Sequence, residues 1–287
     1  MVEELLSLEE FKDFCHLDCN RSSYLHRLLS KKDIPFKGIT NKDAYNFLIL
    51  PGAGNPKDFD RLYVAHYDRI KGTYGANDNS AAVFQLIKHA LLIQRQNQKK
   101  NTAILLTDLE EFHFHNRHNK QGSYYFAKEF EQAPFMNHIF VFDMCGIGDH
   151  IIWSKTFHKA FNNDALERTR QRIRKQVITS SYPISMNRLP FSDDLGFFQA
   201  GHFAQLISLL PQEELDQLSQ WQQAELPKSK PDNYLQFKKH DHSLWRKTLP
   251  DAWKVNHTIE DTFESLTQES FDLMGEFLSY LSDLEFA

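Results

Sequence analysis

Thr102-Ala103-Ile104-Leu105-Leu106-Thr107-Asp108-Leu109-Glu110-Glu111 is the stretch whose reading decides the fold. Residues 102–106 are apolar or β-branched on both faces of an extended chain, the mark of a central strand buried from two sides. The run stops abruptly at acidic residues. Working outward, Arg61 to His66, His138 to Phe142 and Phe203 to Leu210 repeat the apolar strand pattern. Between them, Asn79 to Arg95, Gly122 to Phe130 and Ala160 to Gln176 carry helical spacing. Strands alternating with helices imply an α/β fold. The expected architecture is a three-layer αβα sandwich around a central mixed, mostly parallel sheet.

The remaining chain fits around that unit. Residues 3–30 read as amphipathic helices, and Thr262 to Leu284 as a final one. Tyr45 to Leu50 reads as a strand, and Gly52, Gly54, Asn55 and Pro56 predict a hairpin-like turn joining it to Arg61–His66. Residues 212–254 are polar and Gln-rich and hold Trp221, Trp245 and Trp253. They read as an insertion that serves as a lid or as an anchor. The whole chain, 1–287, is expected to form one domain.

Composition narrows the function. With 33 basic and 38 acidic residues the formal charge is −5, which argues against nucleic acid as a partner. No apolar stretch of about 18 residues exists, so no membrane span is expected. The N-terminus lacks a basic start followed by an apolar run, and three cysteines are too few for a disulfide framework. A cytoplasmic location is the expectation.

In parallel sheets, functional side chains gather beyond the carboxyl ends of strands. His66 and Asp68 follow one strand, Glu110 and Glu111 the next, and Asp143 a third. Asp78 precedes the long helix and His257 the last one. Carboxylates buried together at one sheet edge repel, and cations remove that cost. Asp, Glu and His are ligands that zinc accepts, and they suit two metals about 3.5–4 Å apart. The absence of Cys points to an open, catalytic site.

The motifs resemble those of the clan MH zinc exopeptidases, the bacterial leucyl aminopeptidase type, whose relatives include glutamate carboxypeptidases and glutaminyl cyclases. They run in order: His66-x-Asp68, Gly75-Ala76-x-Asp78-Asn79, Glu110-Glu111 with Gly122-Ser123, and Asp143-Met144-x-Gly146. Ser192-Asp193 and His257-Thr258-x-x-Asp261-Thr262 complete the set. The resemblance covers roughly residues 60–285. It implies two zinc ions, His66 and Asp143 on one, Glu111 and His257 on the other, with Asp78 bridging. It implies a cis peptide at Asp78-Asn79, Asp68 orienting His66, and Glu110 as general base in peptide hydrolysis.

The chain departs from the pattern in places. Phe112 to His118 brings in His113, His115 and His118, which read as surface-loop residues. Asp194 stands where much of the family has His. Tyr182 is a candidate near substrate, and Cys15-His16 with Cys19 has only a loose ligand-like spacing. The implied activity is a di-zinc aminopeptidase acting on peptides. The alternatives are a mono-zinc, glutaminyl-cyclase-like acyltransferase and a non-catalytic binding protein on the same scaffold.

Overall fold

The computed structural model describes residues 5–52, 54–95, 101–111, 121–155, 164–225 and 249–285. Two helices open the chain, α1 (Leu8–Cys15) and α2 (Arg21–Lys31). A capping box starts α1: Ser7 Oγ accepts from the Glu10 amide while Glu10 accepts from the Ser7 amide. Then follow β1 (Phe36–Asn41), β2 (Ala44–Ile49), β3 (Arg61–His66), α3 (Ala81–Arg95) and β4 (Thr102–Thr107). Next come α4 (Gly122–Glu129), β5 (Ile139–Phe142), β6 (His150–Ser154), α5 (Asp164–Ile178) and β7 (Ile184–Asn187). The last elements are α6 (Asp193–Ala200), β8 (Ala204–Leu210), α7 (Leu215–Glu225), α8 (Asp251–Lys254) and α9 (Gln268–Asp283).

The eight strands form one sheet in the order β1-β2-β4-β3-β5-β8-β6-β7. The β4–β3–β5–β8 centre is parallel, so four carboxyl ends lie along one edge. The ladders β1–β2, β2–β4 and β6–β8 are antiparallel. Successive residues of the central strands feed opposite cores. Tyr63, Ala65, Ile104 and Leu106 pack under α1, α2, α3 and α9. Leu62, Val64, Ala103 and Leu105 pack under α4, α6 and α7. That alternation makes the three-layer sandwich, as the apolar runs anticipate. Among the described residues, no helix is long and apolar enough to cross a membrane.

Some expectations change. No hairpin joins β2 to β3: β2 pairs antiparallel with β4, and β3 lies on the other side of β4. Both β3 and β4 are buried at every residue, so they take central places and push β2 outward. The real hairpin is β1–β2, turning at Lys42 with φ 51°. Strand β1 is a half-exposed edge strand with polar Lys37, Thr40 and Asn41, so it lacks the apolar run that marks the central strands. The final helix begins at Gln268 rather than Thr262, since Phe263–Ser265 forms a short 3-10 turn. Trp221 and Trp253 are buried in the second core, so these two anchor the ends of the 212–254 segment. Trp245 lies outside the described residues, as do His113, His115 and His118.

Arg61 illustrates how the edge opposite the carboxyl ends is secured. Its Nη1 donates to the carbonyls of Leu281 (2.7 Å) and Ser282 (2.9 Å), satisfying the end of α9. It sits at the start of β3, about 16 Å along the strand from His66. Arg61→Met should therefore lower stability by about 1–3 kcal/mol, read as a reduced urea midpoint, by leaving buried carbonyls unsatisfied. An unchanged midpoint would show that water replaces the guanidinium there.

Candidate active site

His66 is the last residue of β3, and its ring is fully buried. Its Nδ1 lies 3.4 Å from Asp68 Oδ1. Its Nε2 lies 3.2 Å from Asp78 and 3.4 Å from Asp143, which follows β5 directly. On the other side, His257 Nε2 lies 3.1 Å from the second Asp78 oxygen and 3.1 Å from Glu111. Asp78 thus faces two clusters, His66–Asp78–Asp143 and Asp78–Glu111–His257. Within each, the candidate ligand atoms lie within 4.8 Å of one another. Glu110 joins His66 and Glu111 in a third group of the same span.

The turns that deliver these groups are unusual. Leu109, Met144 and His257 have φ of 62°, 54° and 61°, a left-handed conformation that costs a non-glycine residue about 1–2 kcal/mol. Each lies at a turn bearing a site residue. The Asp78–Asn79 peptide is cis, as the resemblance implies. Asp68 also ties two turns together. Its two oxygens accept the backbone amides of Glu110 (3.2 Å) and Glu111 (2.9 Å), so one carboxylate ties the β3 and β4 exits together. Asp261 does the same elsewhere, accepting from the amides of Asn77 (2.7 Å) and Asp78 (3.1 Å). Asn77 in turn accepts from the Gly146 amide at 2.8 Å, and Asn79 donates to the Phe142 carbonyl at 2.8 Å.

Electrostatics follow from crowding. Burial disfavours charge on His66, yet Asp143, Asp68 and Asp78 outweigh it and hold the imidazole protonated well above its ordinary range. His257 behaves alike: burial is overcome by Asp78 and Glu111, and its pKa rises to about 11. Burial and the nearby Asp78 push Glu111 up to about 7. Burial likewise raises Glu110 well above the carboxylate range, with Glu111, Asp143 and Asp193 adding to it. Asp78 is lowered, because the two histidines overcome its burial.

Among the described residues, neither Glu111 oxygen, nor Asp143 Oδ1, nor His66 Nε2 makes a hydrogen bond of good geometry, although all are buried. Carboxylates and imidazoles converge without donors aligned between them. The donor set is oxygen and nitrogen, in two triads sharing one carboxylate. It fits two divalent cations of the zinc type.

The structure thus brings together all seven residues singled out from sequence: His66, Asp68, Asp78, Glu110, Glu111, Asp143 and His257. Sequence reasoning missed Gln121, whose Nε2 donates to Glu110 Oε1 at 3.1 Å and to the Ser192 carbonyl at 3.3 Å. Only its place beside Gly122-Ser123 hinted at it. Asp193 is fully buried and accepts from the Thr107 hydroxyl, with burial raising its pKa to about 6. Asp194 accepts from the Ser192 amide at 2.8 Å, at the start of α6. Tyr182 packs on Phe277 and Tyr280 beside edge strand β7, away from the cluster. Cys15 and Cys19 are free and join no triad of potential ligands among the described residues.

Comparison with known proteins agrees with this geometry. The fold is shared with a zinc aminopeptidase from Bacillus subtilis, at 18% identity and a TM-score of 0.51 over 83% of this chain. The chain spans 49% of that enzyme's length, about half. The LapA aminopeptidase of Legionella pneumophila aligns at 13% identity with a TM-score of 0.61, over 96% of this chain and 70% of its own. A glutaminyl cyclase from Porphyromonas gingivalis aligns at 14% identity with a TM-score of 0.60, over 98% of this chain and 99% of its own. No curated protein matches the chain in a sequence search. The family model that does match spans residues 49–282, a range that includes every strand-end carboxylate described above, and by that match the chain belongs to peptidase family M28.

Proposed function

We propose that the protein is a di-zinc aminopeptidase that hydrolyses the N-terminal bond of peptides. The observation that carries the reading is the pair of triads sharing Asp78. His66 and Asp143 would hold one cation, Glu111 and His257 the other, with Asp78 between them. Two such ions supply Lewis acidity toward a carbonyl oxygen and lower the pKa of water. The chain's own residues do the rest. Asp68, 3.4 Å from His66 Nδ1, would orient the ring so that Nε2 faces Asp78 and Asp143. Glu110, buried and held by Gln121, takes a proton from the attacking water and returns it to the leaving amine.

A second reading has a specific observation behind it. The glutaminyl cyclase matches this chain almost end to end, whereas the match covers only 49% of the Bacillus aminopeptidase. Cyclisation needs one cation and no water nucleophile. The complete His66–Asp78–Asp143 triad favours hydrolysis.

Metal stoichiometry coupled to a panel of aminoacyl amides separates the readings. The wild-type chain should bind two zinc ions and release N-terminal residues. One tightly held zinc with cyclisation of N-terminal Gln would sink the hydrolase. Asp78→Ala should lose both ions, whereas Asp143→Ala and His257→Ala should each lose one, by elemental analysis after dialysis. Full occupancy in Asp78→Ala would rule out the bridge. Glu110→Gln should keep its metal and lose about 10²–10⁴-fold in kcat. Near-normal turnover would remove Glu110 from the mechanism.

The pKa pattern sets a pH dependence. His66 and His257 have raised folded values, so their contribution to metal-free stability is complete below the ordinary imidazole range and fades as pH rises. Glu111, at about 7, and Asp193 and Asp261, each near 6 mainly through burial, act in the same direction across pH 5.5–7.5. Zinc must displace protons from His66, His257 and Glu111, so its affinity rises with pH. The metal-free chain should therefore melt lower at pH 7.5 than at 5.5, while the gain on adding zinc should be larger at pH 7.5. A zinc gain that shrinks with pH would contradict the assignment of these residues as ligands.

A further inference from the structure

Helices α1 and α2 lie outside residues 49–282, the span matched by the family. Neither supplies a candidate ligand or base. One side chain nevertheless leaves α2 and enters the turns that carry the site. Arg21 is 6% exposed, and its guanidinium fans over five acceptors. Nη1 donates to the carbonyls of Tyr67 (2.9 Å) and Asp68 (3.2 Å), beside His66. Nη2 donates to the carbonyls of Tyr74 (2.6 Å) and Gly75 (3.1 Å) and to Ser80 Oγ (2.7 Å), which flank Asp78.

We propose that Arg21 is a positioning residue of the active site, clamping the exit of β3 to the turn that presents Asp78. The N-terminal helices are thereby a working part of the centre.

Several observations converge on this. All five acceptors are uncharged, so Arg21 answers backbone carbonyls rather than forming an ion pair. Burial, with the Arg69 cation adding to it, pushes its pKa down to about 10, a cost that a surface arginine does not meet. The stacked Phe14 ring, 4.7 Å away, closes one side of the guanidinium. Gly75 is left-handed at φ 57°, and a Cβ there would come within 2.7 Å of the Asp78 carbonyl and 3.0 Å of Arg21 Nη2. The turn is thus fitted to the guanidinium. The grip is also reciprocal. Arg69, from the same turn, donates to the carbonyls of Cys15 (2.7 Å), His16 (2.8 Å) and Leu17 (2.8 Å) at the end of α1. A lysine has three donors on one nitrogen and cannot span acceptors on two sides of a plane.

The inference rests on the reading of Asp78 as a ligand, and its test keeps the two apart. Zinc affinity would be measured by chelator competition on wild type, Arg21→Met, Arg21→Lys and Arg61→Met. Amide hydrogen exchange of residues 67–80 would be followed in the metal-free proteins. Arg21→Met should bind zinc at least about 10-fold more weakly, the range for residues that orient ligands. Its exchange should quicken locally over residues 67–80, and kcat should fall more than KM changes. Arg61→Met should lose stability yet keep wild-type zinc affinity and wild-type exchange in that segment, which separates positioning from folding. If Arg21→Met does not fold, Arg21→Lys decides, with an intermediate loss expected. Zinc affinity within twofold of wild type and unchanged local exchange in a folded Arg21 variant would overturn the clamp. A wild-type chain that binds no zinc would overturn the reading of the site, and exchange at residues 67–80 would then decide the clamp alone.

Discussion

Asp78, Glu110, Glu111 and Asp143 converge at one buried edge of a sheet, within reach of two imidazoles. Like charges at that spacing repel, and a low-dielectric surrounding magnifies the repulsion. Positive charge has to enter. Protons on His66 and His257 meet part of the demand, and Glu110 and Glu111 hold protons beyond their ordinary range. Divalent cations meet it better, because one ion serves several carboxylates at once. The sheet, the turns and the flanking helices can be read as the apparatus that keeps these groups together against that repulsion.

The apparatus works through backbone amides more than through side-chain ion pairs. Asp68 binds two amides of the Glu110–Glu111 turn, and Asp261 binds two amides of the Asp78 turn. Each carboxylate gains donors for both oxygens, which offsets the cost of burying it. Each also links two turns that are distant in sequence. The left-handed residues Leu109, Met144 and His257 stand at three of these turns. Backbone strain of this kind persists only where surrounding contacts hold it; Asp68 holds the amides that follow Leu109, and the Ser208 hydroxyl and Leu209 amide hold the Met144 carbonyl.

Much of this is legible in the chain because strand-end chemistry is local. The apolar runs of Leu62–Ala65, Ala103–Leu106 and Ile139–Phe142 mark central strands, and the polar residue after each marks the edge where ligands gather. Other parts depend on pairing, which no local pattern reports. Nothing in Ala44–Ile49 says that it pairs with β4 rather than β3. Phe36–Asn41 carries too little alternation to declare a strand, since its neighbour covers only one side. Gln121 and Arg21 are the sharpest cases. Each is a single polar residue whose purpose appears only when the fold brings Glu110 or the Tyr67–Ser80 segment to it.

Adjacent residues Glu110 and Glu111 show how one turn supplies two kinds of carboxylate. The left-handed Leu109 lets the chain turn sharply after β4, so the two side chains take different partners. Glu111 faces His257 at 3.1 Å, within a triad that includes Asp78. Glu110 meets the neutral amide of Gln121. His257 partly offsets the burial that raises Glu111, and a divalent cation would offset it further, as a ligand requires. Burial and the carboxylates of Glu111, Asp143 and Asp193 raise the proton affinity of Glu110. If Glu111 is the ligand and Glu110 the base, as proposed, the distinction lies less in the residues themselves, which are identical, than in what the fold places opposite each.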